Sequence, residues 1–253
     1  MKILILDIET SPHFSAHFGR WQQNIPPEHT LYESRVICWA AKWLDKKKVM
    51  FAAEWTVGPE EMLAQMYDLL NEADAVVHFN GKKFDMKRLN TEFLRLGWGP
   101  NSHYHQIDLC QQVKKHFAFS SNRLKHLLKE LELTPKLEEN SNMQLWIDVC
   151  WFEDRAARTR MREYNKQDVL STEEFYDYML GWIDPHPNCG LYVDDVSGDK
   201  PACPNCGHHT VHINKYRTTK TRKYIQYYCP NCGKYPRGRK HVGTTGTDNG
   251  VLS

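Results

Sequence analysis

Long hydrophobic runs are missing from this sequence. The longest apolar stretch is the six residues Val36 to Ala41, against the roughly 20 needed to cross a bilayer. Ile3-Leu4-Ile5-Leu6 is too short for the core of a signal peptide. The expectation is a soluble, cytoplasmic protein without a membrane partner. A second absence is regional: no acidic residue occurs from Pro201 to Thr247. The formal net charge of +2, from 33 Lys plus Arg against 31 Asp plus Glu, conceals it. Residues 184–253 carry ten basic and five acidic residues, a net of +5, which leaves −3 on residues 1–183. Compositional bias is absent too, since 25% charged and 41% hydrophobic residues are ordinary values and exclude disordered and fibrous classes. At about 150 residues per domain, the 253 residues fit one to two domains.

Eight cysteines form a disulfide framework only in a secreted context, and nothing in the sequence supplies one. Four of them fall into one word written twice, Cys203-Pro-Asn-Cys206-Gly207 and Cys229-Pro-Asn-Cys232-Gly233. Two thiolates separated by two residues reach one tetrahedral ion, and the following glycine lets the backbone turn its amides toward the sulfurs. The pattern predicts a closed four-thiolate zinc ribbon over residues 202–241 holding one structural Zn²⁺. His186 and Cys189 lie just upstream and are expected to be linker residues rather than ligands. Between and after the cysteine pairs stand Tyr216, Arg217, Arg222, Lys223, Tyr224 and Tyr227. Cations attract phosphates and tyrosine rings offer stacking faces, so this appendage is expected to bind nucleic acid. The alternative is that the tyrosines pack a very small core and the charges only solvate it. Residues 184–201, rich in Pro, Asp and Gly, read as a linker, and residues 242–253 as a disordered tail.

In the body, Lys2 to Asp7 looks like a strand buried on both faces. Val36 to Leu44 and Val49 to Trp55 read as a hairpin. Glu60 to Asn71 is expected to be a helix, Ala75 to Phe79 a strand and Lys82 to Leu96 a helix. Asp108 with Gln111 and Ser141 with Gln144 fit capping boxes. Leu124, Leu127, Leu128 and Leu131 form a helical stripe, and a long helix from about Glu153 to Trp182 closes the body. The expected class is α/β, a mixed sheet flanked by helices, over residues 1–183.

Carboxylates stand in three places. Asp7 and Glu9 end the first apolar run and share one face of an extended chain. Asp85 follows the strand Ala75 to Phe79 through Asn80-Gly81-Lys82-Lys83-Phe84, with Asn80 expected to cap the helix; an ordinary first-turn acid is the alternative. Tyr164 and Asp168 are four apart on the long helix, in line with apolar Phe175 and Met179. A buried Asp there needs a cation or a donor, a structural tyrosine–aspartate bond being the other reading. Four converging carboxylates need about two divalent ions, and oxygen ligands select Mg²⁺ or Mn²⁺. Two such ions serve in-line phosphoryl displacement, which predicts phosphodiester hydrolysis. Lys82 and Lys83 are expected to meet substrate phosphates.

Asp7-Ile-Glu9-Thr, Asn80-x3-Phe84-Asp85 and Tyr164-x3-Asp168 resemble the three exonuclease motifs of the DEDD superfamily, in its tyrosine-bearing DEDDy branch, from Met1 to about Trp182. The segment Ser34 to Trp55 and the His186-Pro-Asn end resemble stand-alone bacteriophage exonucleases, whose setting would be the bacterial host cytoplasm. The resemblance implies a ribonuclease H-like fold and a 3′ to 5′ exonuclease. Asp7, Glu9, Asp85 and Asp168 would bind two Mg²⁺ or Mn²⁺, with Tyr164 orienting the water. DNA preferred over RNA is likewise what the resemblance implies. The zinc ribbon is outside the family pattern; it would hold DNA or a replication or repair protein. Two rivals remain at this level: a structure-selective endonuclease such as a junction resolvase, and a non-catalytic nucleic-acid-binding replication accessory protein.

Overall fold

The computed structural model describes residues 1–19, 21, 24–134, 143–193, 201–209 and 211–243. The chain divides into two compact units, Lys2–Tyr176 and Asp177–Ser253, the second also including Met1.

In chain order the first unit runs β1 (Ile3–Thr10), β2 (Phe14–Ser15), β3 (Thr30–Tyr32), β4 (Val36–Trp43), β5 (Met50–Ala53), α1 (Glu54–Val57) and α2 (Pro59–Glu72). It continues with β6 (Ala75–His78), α3 (Asp85–Arg95), β7 (His105–Asp108), α4 (Leu109–His116), α5 (Leu124–Glu130), α6 (Met143–Cys150) and α7 (Arg155–Met179), whose last turn reaches into the second unit. Five strands form one mixed sheet in the order β5-β4-β1-β6-β7. β4 is antiparallel to both β1 and β5, whereas β6 and β7 run parallel to β1. β1 is therefore central and covered on both faces, the reason its opening run is wholly apolar. Leu4, Leu6 and Ile8 face one layer and pack with Met62, Met66 and Leu70 of α2 and Met86, Leu89 and Phe93 of α3. A second cluster on the sheet joins Ile37 and Cys38 of β4 and Ala53 to Leu145 and Val149 of α6 and Ala157 and Met161 of α7. Consecutive Ile37 and Cys38 share that cluster because the register shifts at Glu9/Thr10, leaving Ile37 as the extra residue of a bulge.

Three local expectations change. The strand expected to reach Trp55 ends at Ala53, because the Thr56 hydroxyl accepts the Ala53 N–H at 3.1 Å and donates to the Ala53 carbonyl at 2.8 Å, starting α1. The helix expected from Lys82 starts at Asp85. Asn80 does not cap it: its φ is +66°, and it begins a turn over residues 80–84. Asp108 does cap α4, accepting the Gln111 N–H at 3.2 Å, while Ser141 lies outside the described residues.

In the second unit β8 (His212–Thr218), β9 (Lys223–Tyr228) and β10 (Arg237–His241) form an antiparallel sheet of order β10-β9-β8. Its core is small: Cys203, Val211 and Cys229, with Tyr227, Cys206 and Cys232 packed against them. Residues 194–200 of the expected linker and 244–253 of the expected tail lie outside the described residues.

Candidate active site

Alternation along β1 puts Asp7 and Glu9 on the face opposite Leu4, Leu6 and Ile8, toward α6 and α7. These helices supply hydrogen bonds to both residues. Asn165 of α7, fully buried, donates from Nδ2 to Asp7 Oδ2 at 2.7 Å and to the Asp7 carbonyl at 3.3 Å. Trp146 of α6 donates from its indole Nε1 to Glu9 Oε2 at 3.2 Å. One turn along α7, Asp168 is only 3% exposed, and ligand oxygens of Asp7, Glu9 and Asp168 all lie within 4.8 Å of one another. Asp85 stands beside this trio without being part of it. It is buried, and its Oδ1 accepts the Ile8 N–H at 3.3 Å, beyond the last β1–β6 pair, Ile5 with Val77. Burial first, then the charges of Asp168, Glu9 and Asp7, push the Tyr164 phenol well above its ordinary range, and its hydroxyl hydrogen-bonds to Asp168. The Trp146 ring meets Tyr164 edge-on, centroids 6.0 Å apart.

Three carboxylates this close repel one another in a partly buried setting. A cation relieves that repulsion, and an all-oxygen donor set suits Mg²⁺ or Mn²⁺ over zinc. The acidic trio could hold a metal ion on that ground.

The turn that delivers Asp85 is held from beneath. Asp108, at the end of β7, accepts the N–H of Asn80 at 3.0 Å and of Lys82 at 3.2 Å, and His78 Nδ1 accepts the Gly81 N–H at 3.1 Å. Both acceptors are buried, at 0% and 1% exposure. Burial, opposed by the Asp108 charge, holds the imidazole down to about 4, which leaves Nδ1 free to accept. Lys82, Lys83 and Phe84 are presented outward from this turn.

In the second unit the two cysteine words fold alike. Gly207 and Gly233 take φ of +73° and +72°, donating to the carbonyls of Cys203 at 2.8 Å and Cys229 at 2.9 Å. Cys203 and Cys229 donate in turn to the carbonyls of His208 and Lys234, each at 2.9 Å. The four sulfurs lie within 4.8 Å of one another, with Cys203–Cys232 and Cys206–Cys229 each 3.6 Å apart. Around a tetrahedral ion with bonds of about 2.3 Å, sulfurs lie about 3.8 Å apart, so this cluster could also hold a metal. The bond from Cys232 draws the Cys203 thiol down to about 5 and pushes that of Cys232 up. Cys189 is not part of the cluster; its thiol donates to the Asn205 carbonyl at 3.0 Å. Of the residues expected to meet nucleic acid, Arg217, Arg222 and Lys223 are exposed. Lys223 lies 4.0 Å over the Tyr216 ring and Arg237 4.3 Å over the Tyr224 ring. Tyr227 packs against the cysteine core, as the alternative reading had it.

Asn165, Trp146, His78 and Asp108 were not among the expected site residues. Asn165 had one signal, an amide in register with the Tyr164–Asp168 face of a helix. The others depend on tertiary contacts.

The sheet order and the carboxylates at its centre define an α/β scaffold with an acidic cluster on its central strand. Residues 28–180 match the RNase_H superfamily, and the chain belongs to it. That span contains Asp85, Tyr164 and Asp168 and starts after Asp7 and Glu9. Among solved structures the chain is similar to the family B DNA polymerase from the hyperthermophilic archaeon Pyrobaculum calidifontis, with TM-score 0.52 and 16% identity over 71% of this chain. The match spans 24% of that polymerase, about a quarter of its length. No curated protein matches the chain. Family and fold together support a nuclease acting on nucleic acid. No helix among the described residues is long and apolar enough to cross a membrane.

Proposed function

We propose that this chain is a two-metal-ion 3′ to 5′ exonuclease of the DEDDy type, a hydrolase releasing nucleotides from DNA in preference to RNA. The observation that carries the reading is the trio of Asp7, Glu9 and Asp168 oxygens within 4.8 Å, beside Asp85 and Tyr164, in a member of the RNase_H superfamily. Asp7, Glu9, Asp85 and Asp168 would hold Mg²⁺ or Mn²⁺; when bound, the ions supply a reactive water and offset charge on the leaving oxygen. The chain does the positioning. Asn165 fixes the Asp7 carboxylate and Trp146 that of Glu9. The Tyr164 hydroxyl orients the attacking water beside Asp168. Lys82 and Lys83 meet the phosphates upstream of the cut.

The second unit is proposed as a zinc ribbon that binds DNA through Arg217, Arg222, Lys223 and Tyr224, or docks a replication or repair protein. Similarity of the fold to part of a DNA polymerase favours DNA as the substrate. The test is digestion of 3′- and 5′-labelled DNA and RNA, single- and double-stranded, with Mg²⁺ and with Mn²⁺, alongside a closed circular duplex. Mononucleotides from the 3′ end and an intact circle are expected. Nicking of the circle would replace the reading with an endonuclease.

A further inference from the structure

The strand order leaves β5 at one edge of the five-stranded sheet, and among the described residues no further strand pairs with its outer side. An edge strand presents a row of N–H and C=O groups to any chain that can add to it. Beside β5 lies a cavity of about 470 Å³ whose walls come from both faces of the sheet. Gln65, Asp68 and Leu69 of α2 line one side, Arg162 and Lys166 of α7 the other, and Val49, Met50 and Phe51 lie between them. A cavity reached from both faces wraps the edge itself. It opens where a sixth strand, about 4.8 Å from β5, would lie.

The two walls differ in chemistry. Toward α2 the lining is largely apolar, with Trp39, Met50 and Leu69 packed on the core. The Trp39 indole spends its own donor on the Met62 carbonyl at 2.7 Å. Toward α7 the Arg162 guanidinium lies 5.8 Å from the centre of the Phe51 ring, and Lys48 and Lys166 complete a group of three cations. Burial first, then the charges of Arg162 and Lys48, lower the pKa of the Lys166 ammonium. Among the described residues none of the three takes part in an ion pair. The lining holds two carboxylates, Asp68 and Glu72, and Glu72 is paired with Lys2 at 2.8 Å. Lysines that guard a sheet edge point into water. Here neighbouring cations, one of them partly buried, repel one another, and an anion relieves that repulsion.

A strand sends alternate side chains to opposite faces. Met50 and Phe51 already show the division, Met50 packing in the α2 layer and Phe51 in the α7 layer. A strand added beside them alternates in step. Every second side chain then meets Met50 and Leu69, and those between meet Arg162 and Lys166. We infer that the β5 edge is a docking groove for an extended segment of a partner protein in which carboxylate side chains alternate with apolar ones. Main-chain pairing supplies affinity, and the two unlike walls supply specificity and register. The groove uses none of the clustered carboxylates and does not rest on the nuclease reading.

The probe is a fluorescein-labelled peptide, Ser-Glu-Val-Glu-Phe-Glu-Val-Ser, titrated with the full chain and followed by anisotropy without added divalent ions. Saturable binding that weakens with salt is expected, with slower amide hydrogen exchange over residues 49–53. The same peptide with lysine in place of glutamate should not bind. Successive N–H groups of a strand point to opposite edges, so N-methylation of the glutamate amides and of the valine and phenylalanine amides should differ, one abolishing binding and the other leaving it. Arg162→Glu combined with Lys48→Glu should weaken binding about tenfold, with thermal unfolding and nucleotide release unchanged. If that pair folds poorly, Lys48→Glu alone should act in the same direction. Glutamate and lysine peptides that bind alike, or two methylated forms that bind as the parent does, overturn the inference. Absence of binding by the parent peptide overturns it as well; loss of duplex affinity in the double variant would then assign the cations to a phosphate track.

Discussion

Gly81→Ala is expected to damage both folding and catalysis through one contact. A Cβ at position 81 would lie 2.5 Å from His78 Cγ, 2.7 Å from Nδ1 and 2.9 Å from Cβ. The His78 ring is fully buried and its Nδ1 is held by the Gly81 N–H, so the turn over residues 80–84 is expected to move instead. That movement breaks the Gly81 N–H bond to His78 and strains the two amide bonds to Asp108. Overpacking costs about 1–3 kcal/mol and a lost buried hydrogen bond about 1 kcal/mol more, a total of about 2–4 kcal/mol. For a unit of this size the melting temperature should fall by roughly 5–15 °C. Asp85, four residues on, loses its seat against the Ile8 N–H, so nucleotide release should drop even at temperatures where the variant is folded. Urea unfolding followed by circular dichroism, with an activity assay at low temperature, measures both effects. Gly99→Ala is the control: nothing lies within 4 Å of its Cβ, and a change inside about 0.5 kcal/mol is expected. A Gly81→Ala variant as stable and as active as the Gly99 control would refute the reasoning.

Stability should also fall with acid through His78. Its folded pKa of about 4 lies below the ordinary 6.5, so between these values the unfolded chain takes up a proton that the folded chain refuses. The contribution is complete above about pH 6.5 and lost as pH falls to about 4, on the order of 3 kcal/mol in all; urea titrations of wild type and His78→Asn should show this slope only in the former. Asn165→Ala removes a 2.7 Å bond to a carboxylate, worth about 1.5–3 kcal/mol, and should slow nucleotide release about 10- to 100-fold; an unchanged kcat would mean that Asp7 needs no such support. Elemental analysis should find one zinc per chain in wild type and none in Cys203→Ser; equal zinc in both would remove the ribbon site. Replacing Arg222 and Lys223 by alanine should weaken single-strand binding and reduce the slope of log K against log salt by about 1.4. Unchanged affinity would point the ribbon toward a protein partner.

Much of the scaffold is legible because burial imprints it on the sequence. Ile3 to Leu6 is apolar throughout because β1 is the central strand, with neighbours on both sides and helices on both faces. The Cys-Pro-Asn-Cys-Gly repeat is legible because each glycine adopts a positive φ that a turn of amides toward sulfur requires. The turn before α3 departs from its sequence expectation for a physical reason. Asn80 has the chemistry of a cap, but its own amide is claimed by Asp108 from β7, 28 residues away, and its backbone is left-handed. Trp146 leaves no trace in the sequence, and Asn165 only its place on the Tyr164–Asp168 face of a helix, for the same kind of reason. Tryptophan and asparagine carry no catalytic signature, and their value here lies only in which carboxylate each one meets. The strands of the second unit are basic and aromatic in their sequence alone, whereas the split between Tyr224, under a cation, and Tyr227, in the cysteine core, follows from alternation and register that composition does not carry.

The most direct measurement of the central claim is release of mononucleotides from a 3′-labelled single strand in Mn²⁺ by wild type and by Asp168→Ala, a substitution that removes one of the three clustered carboxylates. Rapid release by wild type, abolished by EDTA and reduced by several orders of magnitude in the variant with its fold intact by circular dichroism, is the predicted result. A wild-type chain that releases nothing, or a variant that is equally active, would contradict it.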